Sequence, residues 1–285
     1  MQNLVIGTAN FNKLYGLNKT KVKLNEIKSI LKKLKKRKIF YIDTADNYKL
    51  SKKIKNLIRI NKFKIIFKFS LPRKKVFSTN TFCKNLAKKL NQFSTKPVEA
   101  IMFHNVEDFE NKNILKILNK IYDFKKRKLI KKIGISIYSP NDLQKIKKIF
   151  IPDLIQIPLN IFDQRFTSKK FVDFFKSNKI DVYARSIFLQ GVILKTRSEI
   201  NKLKFNDNIK KKLHEYDEWC KNNYISKIDA SFKFIKKKRF VKYVVVGVDN
   251  FKQLNDLVLS FKSKKNFKLH NFSYNNNNLI DPRKW

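Results

Sequence analysis

The stretch FYIDTADNY, residues 40–48, begins as an apolar strand that stops abruptly at Asp43, and Tyr48 follows five residues later. Similar β-rich runs recur about eight times along the chain and alternate with helical patterns. Because these runs are almost continuously apolar, they are typical of parallel strands that are covered on both faces. The predicted strands are residues 4–8, 39–44, 64–69, 98–104, 131–136, 153–158, 180–185 and 243–248.

Amphipathic helices separate these strands. Leu24, Ile27, Leu31 and Leu34 fall on one helical face, and residues 114–121 repeat the pattern. Right-handed strand–helix–strand crossovers, repeated eight times with short connections, close most naturally into a (β/α)8 TIM barrel, an α/β fold.

The whole chain, residues 1–285, is predicted to form one barrel domain, because no Pro/Gly/Ser-rich linker divides it. A longer insertion between Ser186 and Lys242 carries two further helical segments, around residues 210–223 and 227–237. The polar tail, from about residue 262 to 285, is expected to be partly irregular.

The formal net charge of +44, from 66 basic and 22 acidic residues, raises the hypothesis of nucleic-acid binding. Lysines nevertheless occur in almost every predicted helix, Asn, Ile and Phe are also abundant, and the chain holds only 5 glycines. This spread indicates a general compositional bias, and no nucleic-acid module is recognisable. We therefore expect no specific nucleic-acid partner, only a secondary attraction to anionic partners.

The compartment is predicted from hydropathy and cysteine usage. No apolar run reaches the roughly 18 residues needed to cross a bilayer, and the first residues lack a basic segment followed by a long apolar stretch. Cys83 and Cys220 lie far apart and form no CxxC pair, which favours reduced, packed thiols. We expect a cytoplasmic protein without membrane association. Three scattered histidines and two distant cysteines give no metal-ligand spacing, so no metal site is predicted.

Polar residues end the predicted strands. In a (β/α)8 barrel the chemistry lies at the carboxyl ends of the strands, so these residues are expected to ring one mouth. Lys68 is placed between two phenylalanines of an apolar strand, where an unpaired ammonium is costly, and Asp43 on the neighbouring strand is its natural partner. The strand-end residues are Asp43 with Tyr48 just beyond, Lys68, His104, Ser136, Gln156 with Asn160, Arg185 with Ser186, and Gly247.

Four of these residues together suggest proton donation. Asp43 alone is equally compatible with capping a turn, and a lone histidine is usually structural. Beside Lys68, however, a tyrosine hydroxyl with an ordinary pKa near 10 is expected to have a lowered pKa, because the ammonium stabilises the phenolate. His104 can then orient a carbonyl oxygen toward Tyr48, which is what carbonyl reduction requires once a hydride is delivered.

These residues resemble the aldo-keto reductase family. Its D-T-A-x-x-Y segment is similar to Asp43–Tyr48, its strand-three lysine to Lys68 in IIFKFSLP, and its strand-four histidine to His104 in IMFHN. The resemblance implies a (β/α)8 barrel that binds a nicotinamide cofactor without a Rossmann domain. It also implies that Tyr48 is the general acid, tuned by Lys68 and Asp43, and that His104 orients the substrate carbonyl.

The resemblance covers nearly the whole chain and implies a cofactor site. GTANF looks like the opening segment of the family, GISIYSP and LIQIPLNIFDQRF resemble the strands that contact the nicotinamide carboxamide, and ARSIFLQGVIL and VVVGVDNFKQLNDLV resemble the segments that hold the pyrophosphate and adenosine. The LQG and GTANF forms look closest to bacterial members, often associated with sugar metabolism. The implied cofactor-binding residues are Thr8, Ser136, Gln156, Arg185, Ser186, Gly191, Gly247, Asn250, Gln253 and Asp256.

The chain also departs from the family pattern. The usual Y-G-x-S-E is here Tyr48-Lys49-Leu50-Ser51-Lys52, so the loop glycine and the glutamate are replaced. Arg185 occupies the place where many members stack an aromatic side chain on the nicotinamide. Asp249 is placed where a 2′-phosphate would be repelled, with Lys252 nearby, so NADPH is the expected cofactor and NADH stays open.

The leading functional hypothesis is therefore an NAD(P)H-dependent reductase of a small carbonyl compound, for which a sugar derivative is one possibility. The alternative is a regulatory module of the same fold that binds nicotinamide but turns over slowly.

Overall fold

Eight parallel strands form a closed barrel in a computed structural model, which describes residues 2–12, 14, 16–17, 21–73, 77–94 and 97–285. Each strand pairs with the next along the chain, and the last closes the barrel against the first through the register Leu4 to Val244. The predicted (β/α)8 barrel is confirmed. The strands are β1 (Asn3–Gly7), β2 (Tyr41–Ala45), β3 (Lys64–Phe69), β4 (Val98–Phe103), β5 (Ile130–Ser136), β6 (Leu154–Pro158), β7 (Asp181–Arg185) and β8 (Val241–Gly247).

Helices surround the barrel and follow the predicted apolar stripes. The helices are α1 (Leu24–Lys36), α2 (Lys52–Ile60), α3 (Thr79–Asn91), α4 (Ile114–Lys126), α5 (Pro140–Ile146), α6 (Lys169–Ser177), α7 (Arg197–Asn201), α8 (Asp207–Asn222), α9 (Lys227–Lys237), α10 (Phe251–Lys262) and α11 (Asn277–Ile280). Short 3-10 helices span Asp46–Tyr48, Val106–Glu110, Leu189–Leu194 and Pro282–Lys284.

The region after β7 is more structured than the sequence interpretation indicated. The two predicted helical segments correspond to α8 and α9, but the 3-10 helix Leu189–Leu194 and the short helix α7 were missed. Thr196 and Glu199 form a capping box at the start of α7, a spacing that the letters TRSE already display. The tail is irregular over residues 263–276, before α11 begins.

Alternation along the strands separates an apolar interior from a polar mouth. The barrel interior is filled by a cluster of seven buried side chains, Val5, Ile66, Ala100, Met102, Leu154, Tyr183 and Tyr243. Successive side chains of a strand point to opposite faces, so a residue two positions further on lies directly above an interior residue. Lys68 therefore lies above Ile66, and Gln156 lies above Leu154. This periodicity brings the polar side chains at the strand ends to the same mouth of the barrel.

No helix within the part of the chain that the structure describes is long and apolar enough to span a membrane. Cys83 and Cys220 are both buried and form no disulfide.

We predict that Gly134→Ala lowers the free energy of unfolding by roughly 1–3 kcal/mol, the usual cost of overpacking a core. A Cβ at Gly134 would lie 2.5 Å from both the backbone oxygen and the Cγ of Leu154, so the contact between β5 and β6 must shift. Urea unfolding measures the change. Gly247→Ala is the matched control, because its added Cβ meets no atom within 4 Å. Equal effects of the two substitutions would contradict the close approach at Gly134.

Candidate active site

A buried ion pair lies at the centre of the barrel mouth. The Lys68 ammonium donates to Oδ1 of Asp43, and the two residues are 3% and 2% exposed. Gln156 completes a triangle: its Nε2 donates to Asp43 Oδ2 at 2.9 Å, and its Oε1 lies 3.4 Å from the Lys68 nitrogen. Charges removed from water need such partners, because an unpaired buried ion costs several kcal/mol. The triangle therefore holds β2, β3 and β6 together above the apolar interior.

Thr8 fixes the end of β2 from the neighbouring strand. Its backbone N–H and its hydroxyl both donate to the backbone oxygen of Asp43, at 3.0 and 3.1 Å. Thr8 is fully buried and is not among the residues that line the cavity described below. Its observed contact positions Asp43, whereas the sequence interpretation assigned it to cofactor binding.

Tyr48 is carried over Lys68 by the 3-10 turn that follows β2. The Lys68 nitrogen lies 5.5 Å from the centroid of the Tyr48 ring. The turn ends at Lys49, which adopts a left-handed backbone with φ of +49°, a conformation that glycine takes without strain. The Lys49 backbone oxygen accepts a hydrogen bond from Asn12 Nδ2 at 2.7 Å. The backbone conformation at this position favours glycine, which is the residue usual in the family. A lysine here therefore costs roughly 1–2 kcal/mol.

The expected lowering of the Tyr48 pKa is wrong for this structure. Burial raises the pKa of Tyr48 well above its ordinary value, and the Asp43 carboxylate raises it further, while Arg185 acts in the opposite direction. The Lys68 ammonium donates to Asp43, so its charge is already engaged by a carboxylate. Among the described residues, no hydrogen-bond partner reaches the Tyr48 hydroxyl. The Asp43 partner that the sequence predicted for Lys68 is confirmed, but the rise in the Tyr48 pKa on burial was not predicted.

His104 lies beside Tyr48 at the end of β4. The two rings meet edge-on, with centroids 6.2 Å apart and an interplanar angle of 83°. The His104 backbone N–H donates to the oxygen of Phe69 at 2.7 Å, which anchors the residue to β3. Burial lowers the pKa of His104 to about 3, and the positive charges of Lys68 and Arg185 lower it in the same direction. The imidazole is therefore neutral at physiological pH and keeps one N–H for donation.

Arg185 is fixed at the end of β7. Its Nη2 donates to the backbone oxygen of Ile137 at 3.0 Å and its Nη1 to Ser186 Oγ at 3.2 Å. The Arg185 guanidinium stacks 4.1 Å from the centroid of Tyr138, and the guanidinium of Arg283 stacks 3.8 Å from the same centroid. Two guanidinium groups cannot share one face at these distances, so they cover opposite faces of the ring.

The loop after β7 has an unusual backbone. Ser186, Gln190 and Gly191 all have positive φ, of 57°, 53° and 97°. Asn160 supports this loop, because its Nδ2 donates to the Ser186 oxygen at 3.1 Å. Strained residues persist where surrounding contacts over-determine them, and they cluster at ligand sites.

A cavity of about 570 Å³ opens at the carboxyl ends of the strands, within the usual size range of cofactor and substrate pockets. It is lined by all four proposed catalytic residues. Of the expected cofactor-binding residues, the cavity is lined by Ser136, Gln156, Arg185, Ser186, Gly191, Gly247 and Gln253.

Three expected cofactor residues lie outside the cavity lining: Thr8, Asn250 and Asp256. Asn250 caps α10 by accepting a hydrogen bond from the Gln253 backbone N–H at 2.8 Å. Asp256 is exposed on the same helix.

Several lining residues were missed from the sequence, among them Asn10, Tyr138, Gln190, Lys195 and Glu199. Lys195 and Glu199 form an ion pair of 2.7 Å near the start of α7, so the overlooked capping box was the signal for them. Asn10 Nδ2 donates to Asp249 Oδ1 at 2.8 Å, a contact between residues 239 positions apart that no local pattern reveals.

The cavity has the features that an elongated, phosphate-bearing cofactor requires. A Cβ at Gly191 or Gly247 would meet no atom within 4 Å, so both glycines leave open space beside the loops after β7 and β8. These are the loops that bind phosphate in many barrels of this kind. Within the described residues, no group of three or more potential ligands could hold a metal ion.

The closed parallel barrel, with its cavity at the carboxyl ends of the strands, defines the protein as a (β/α)8 barrel. The chain belongs to the Aldo/keto reductase family, whose sequence profile matches residues 3–271. Members of this family are oxidoreductases that use nicotinamide cofactors and act on small carbonyl compounds.

Solved structures share this fold at low sequence identity. A glycerol dehydrogenase from Gluconobacter oxydans is 16% identical, with a TM-score of 0.69 over 93% of this chain and 87% of that one. An aldo-keto reductase from Bacillus halodurans, in its holo form, is 13% identical, with a TM-score of 0.67 over 93% and 88%. A putative aldo-keto reductase from Pseudomonas aeruginosa is 17% identical, with a TM-score of 0.63 over 90% and 88%. A search of curated protein sequences found no significant match.

We predict a strong energetic coupling between Asp43 and Lys68. Lys68→Met leaves the Asp43 carboxylate buried without its cation and should lower the free energy of unfolding by about 3–5 kcal/mol. Adding Asp43→Asn should restore part of the loss, so the double variant is less destabilised than the sum of the single variants by about 1–3 kcal/mol. Urea unfolding of the four proteins gives this coupling.

The exposed pair Lys89–Asp46, with both side chains 43% exposed and 2.7 Å apart, provides the control cycle. Its coupling should stay below about 1 kcal/mol. A coupling at Asp43–Lys68 no larger than that of the exposed pair would contradict the role given to the buried triangle.

Proposed function

We propose that the protein reduces an aldehyde or ketone to an alcohol with NAD(P)H, and that Tyr48 is the general acid. The observation that carries the proposal is the meeting of Tyr48, His104 and the Asp43–Lys68 pair in one cavity. Family membership supports the reaction class, and the geometry supports the residue roles.

Tyr48 is suited to hold its proton until the substrate needs it. Burial raises the pKa of the hydroxyl, so Tyr48 stays protonated throughout the physiological range. A substrate oxygen that gains negative charge becomes an alkoxide, which is a stronger base than a phenolate, so proton transfer from Tyr48 to that oxygen is favourable. The phenolate left behind is stabilised in part by the positive charge of Arg185, which acts to lower the pKa of Tyr48.

His104 is suited to orient the carbonyl group. Its low pKa, about 3, keeps the imidazole neutral, so its remaining N–H can donate to the carbonyl oxygen while it keeps its own proton. The edge-on contact between the two rings, which both line the cavity, supports the assignment of both donors to one carbonyl oxygen. Two donors aimed at one oxygen stabilise the charge that develops there.

The cofactor, when bound, supplies the hydride to the carbonyl carbon. We assign Ser136 and Gln156 to the nicotinamide side of the cavity, and Ser186, Gly191, Gly247 and Gln253 to its phosphate and adenosine side. Arg185, which the resemblance assigned to the nicotinamide, stacks on Tyr138 in this structure, so we leave it out of the cofactor set. Gln156 already bonds to Asp43 and lies close to Lys68, so a cofactor contact there would join the buried triangle to the reacting group.

NADPH is the expected cofactor from the family, and NADH stays open because of Asp249. The Asp249 carboxylate accepts a hydrogen bond from Asn10, and the Asp249 backbone N–H donates to Gln253 Oε1 at 2.6 Å. A negative group in this position disfavours a 2′-phosphate. The two buried thiols, which form no disulfide, fit the reducing cytoplasm in which such cofactors are abundant.

A catalytically weak, nicotinamide-binding regulatory module is the second candidate function. It is favoured by the engagement of the Lys68 ammonium with Asp43, which leaves the phenolic oxygen of Tyr48 without that cation as a hydrogen-bond partner. Both functions retain cofactor binding, so turnover is the property that distinguishes them.

We predict that Tyr48→Phe lowers kcat for general aldehydes by about 10²–10⁴-fold, the usual contribution of a general acid. The removed hydroxyl is the proton source, so the dissociation constant for NADPH should change less than about twofold. Rates come from NADPH absorbance and binding from fluorescence titration.

Tyr224→Phe is the control, because Tyr224 is 96% exposed and should leave both quantities unchanged. Undiminished turnover by Tyr48→Phe would contradict the assignment of the acid. Tight NADPH binding by the unsubstituted protein without oxidation across a broad carbonyl panel would favour the regulatory module instead.

A further inference from the structure

We propose that Arg185 binds an anionic group of the carbonyl substrate, a carboxylate or a phosphate, so that the site prefers negatively charged aldehydes or ketones. The inference rests on the proposed reductase function and names its substrate class. It starts from the charges that line the cavity.

Most charged side chains of the cavity already have partners. Lys68 pairs with Asp43, and Lys195 pairs with Glu199 at 2.7 Å. Among the described residues, Arg185 has no carboxylate within ion-pair distance. A half-buried cation without an anion is unfavourable, and an anionic ligand relieves that cost.

Arg185 also has hydrogen-bond donors to spare. A guanidinium carries five N–H donors in a fixed fork. Two are used in the protein, for the Ile137 oxygen and for Ser186 Oγ. The remaining donors are sufficient for a carboxylate or phosphate, which arginine binds through paired, charge-assisted hydrogen bonds. Stacking on Tyr138 holds the fork in place before a ligand arrives.

The spare cation acts at the reacting end of the cavity. Arg185 lines the same cavity as Tyr48 and His104, and its charge lowers the pKa of both side chains. An anion held by Arg185 therefore lies within electrostatic reach of the two groups that would bind the carbonyl oxygen. The expected substrates carry their negative charge a short distance from the carbonyl carbon.

Other arginines near the mouth differ from Arg185 in this respect. Arg283 stacks on the same tyrosine but forms a two-bond ion pair with Asp281, at 2.8 and 2.6 Å. Arg165 bonds in the same way to Asp163, at 2.8 Å for both contacts. Of these three arginines, Arg185 is thus the one without a carboxylate within ion-pair distance among the described residues.

The test compares matched substrates that differ in charge. 4-Carboxybenzaldehyde is paired with its methyl ester, and glyceraldehyde 3-phosphate with glyceraldehyde, each with NADPH and with NADH. The protein should reduce the anionic member of at least one pair with a kcat/KM at least 10-fold higher. The pair that shows the preference identifies the anion as carboxylate or phosphate.

Arg185→Met should lower that ratio of kcat/KM values by about 10–100-fold, which corresponds to about 1.4–2.8 kcal/mol. Arg185→Lys, which keeps the charge but loses the fork, should retain an intermediate ratio. Arg283→Met is the matched control, because it removes a guanidinium that stacks on the same ring but is already paired with the Asp281 carboxylate. An equal loss of preference in Arg283→Met would overturn the proposal in favour of general electrostatic attraction.

An equilibrium measurement separates this proposal from the reductase itself. Calorimetric titration with benzoate and benzamide, with and without NADPH, should show at least 10-fold tighter binding of benzoate, and Arg185→Met should abolish the difference. Turnover of charged and neutral substrates with equal efficiency would overturn the proposal and leave the reductase intact. Absence of turnover with every substrate would overturn the reductase, and equal binding of benzoate and benzamide would then also overturn the role of Arg185.

Discussion

The buried ion pair between Asp43 and Lys68 is the interaction on which the rest of the site depends. Two opposite charges taken out of water at the top of an apolar barrel are tolerated only when each satisfies the other. Gln156 closes the triangle, and Thr8 holds the Asp43 backbone from β1. With four strands joined at one level, Tyr48 is brought over Lys68 and beside His104 by a single short turn.

Burial and the charges around this pair together set the protonation states of the side chains in the cavity. Burial raises the pKa of Tyr48 and the Asp43 carboxylate raises it further, so Tyr48 keeps its proton. Burial lowers the pKa of His104, and the positive charges of Lys68 and Arg185 lower it further, so its ring stays neutral. Tyr48 thus stays available as a proton donor, and His104 stays available as a neutral hydrogen-bond donor. Arg185 keeps a positive charge that no described carboxylate neutralises.

The sequence predicts the parts of this arrangement that follow from local periodicity, and it misses those that depend on distant contacts. Apolar runs fix the eight strands, and the polar residue ending each run identifies Asp43, Lys68 and His104. The Lys68–Asp43 pair was predicted as well, whereas the hydrogen bond from Gln156 that joins β6 to this pair depends on a contact between distant residues. Tyr138 lies between Arg185 and Arg283, residues that are 98 positions apart, so no pattern could indicate that Arg185 stacks on a protein side chain. Helix α7 could have been predicted, because the letters TRSE show the spacing of its capping box.

Tracing the hydride tests the central claim most directly. The protein would be supplied with NADPH or NADH carrying deuterium on one or the other face of C4, together with charged and neutral aldehydes, and the alcohol products would be analysed by mass spectrometry. The account predicts one deuterium on the carbinol carbon of the product from only one of the two labelled faces. Cofactor binding without any deuterated alcohol, from any of the aldehydes, would contradict it.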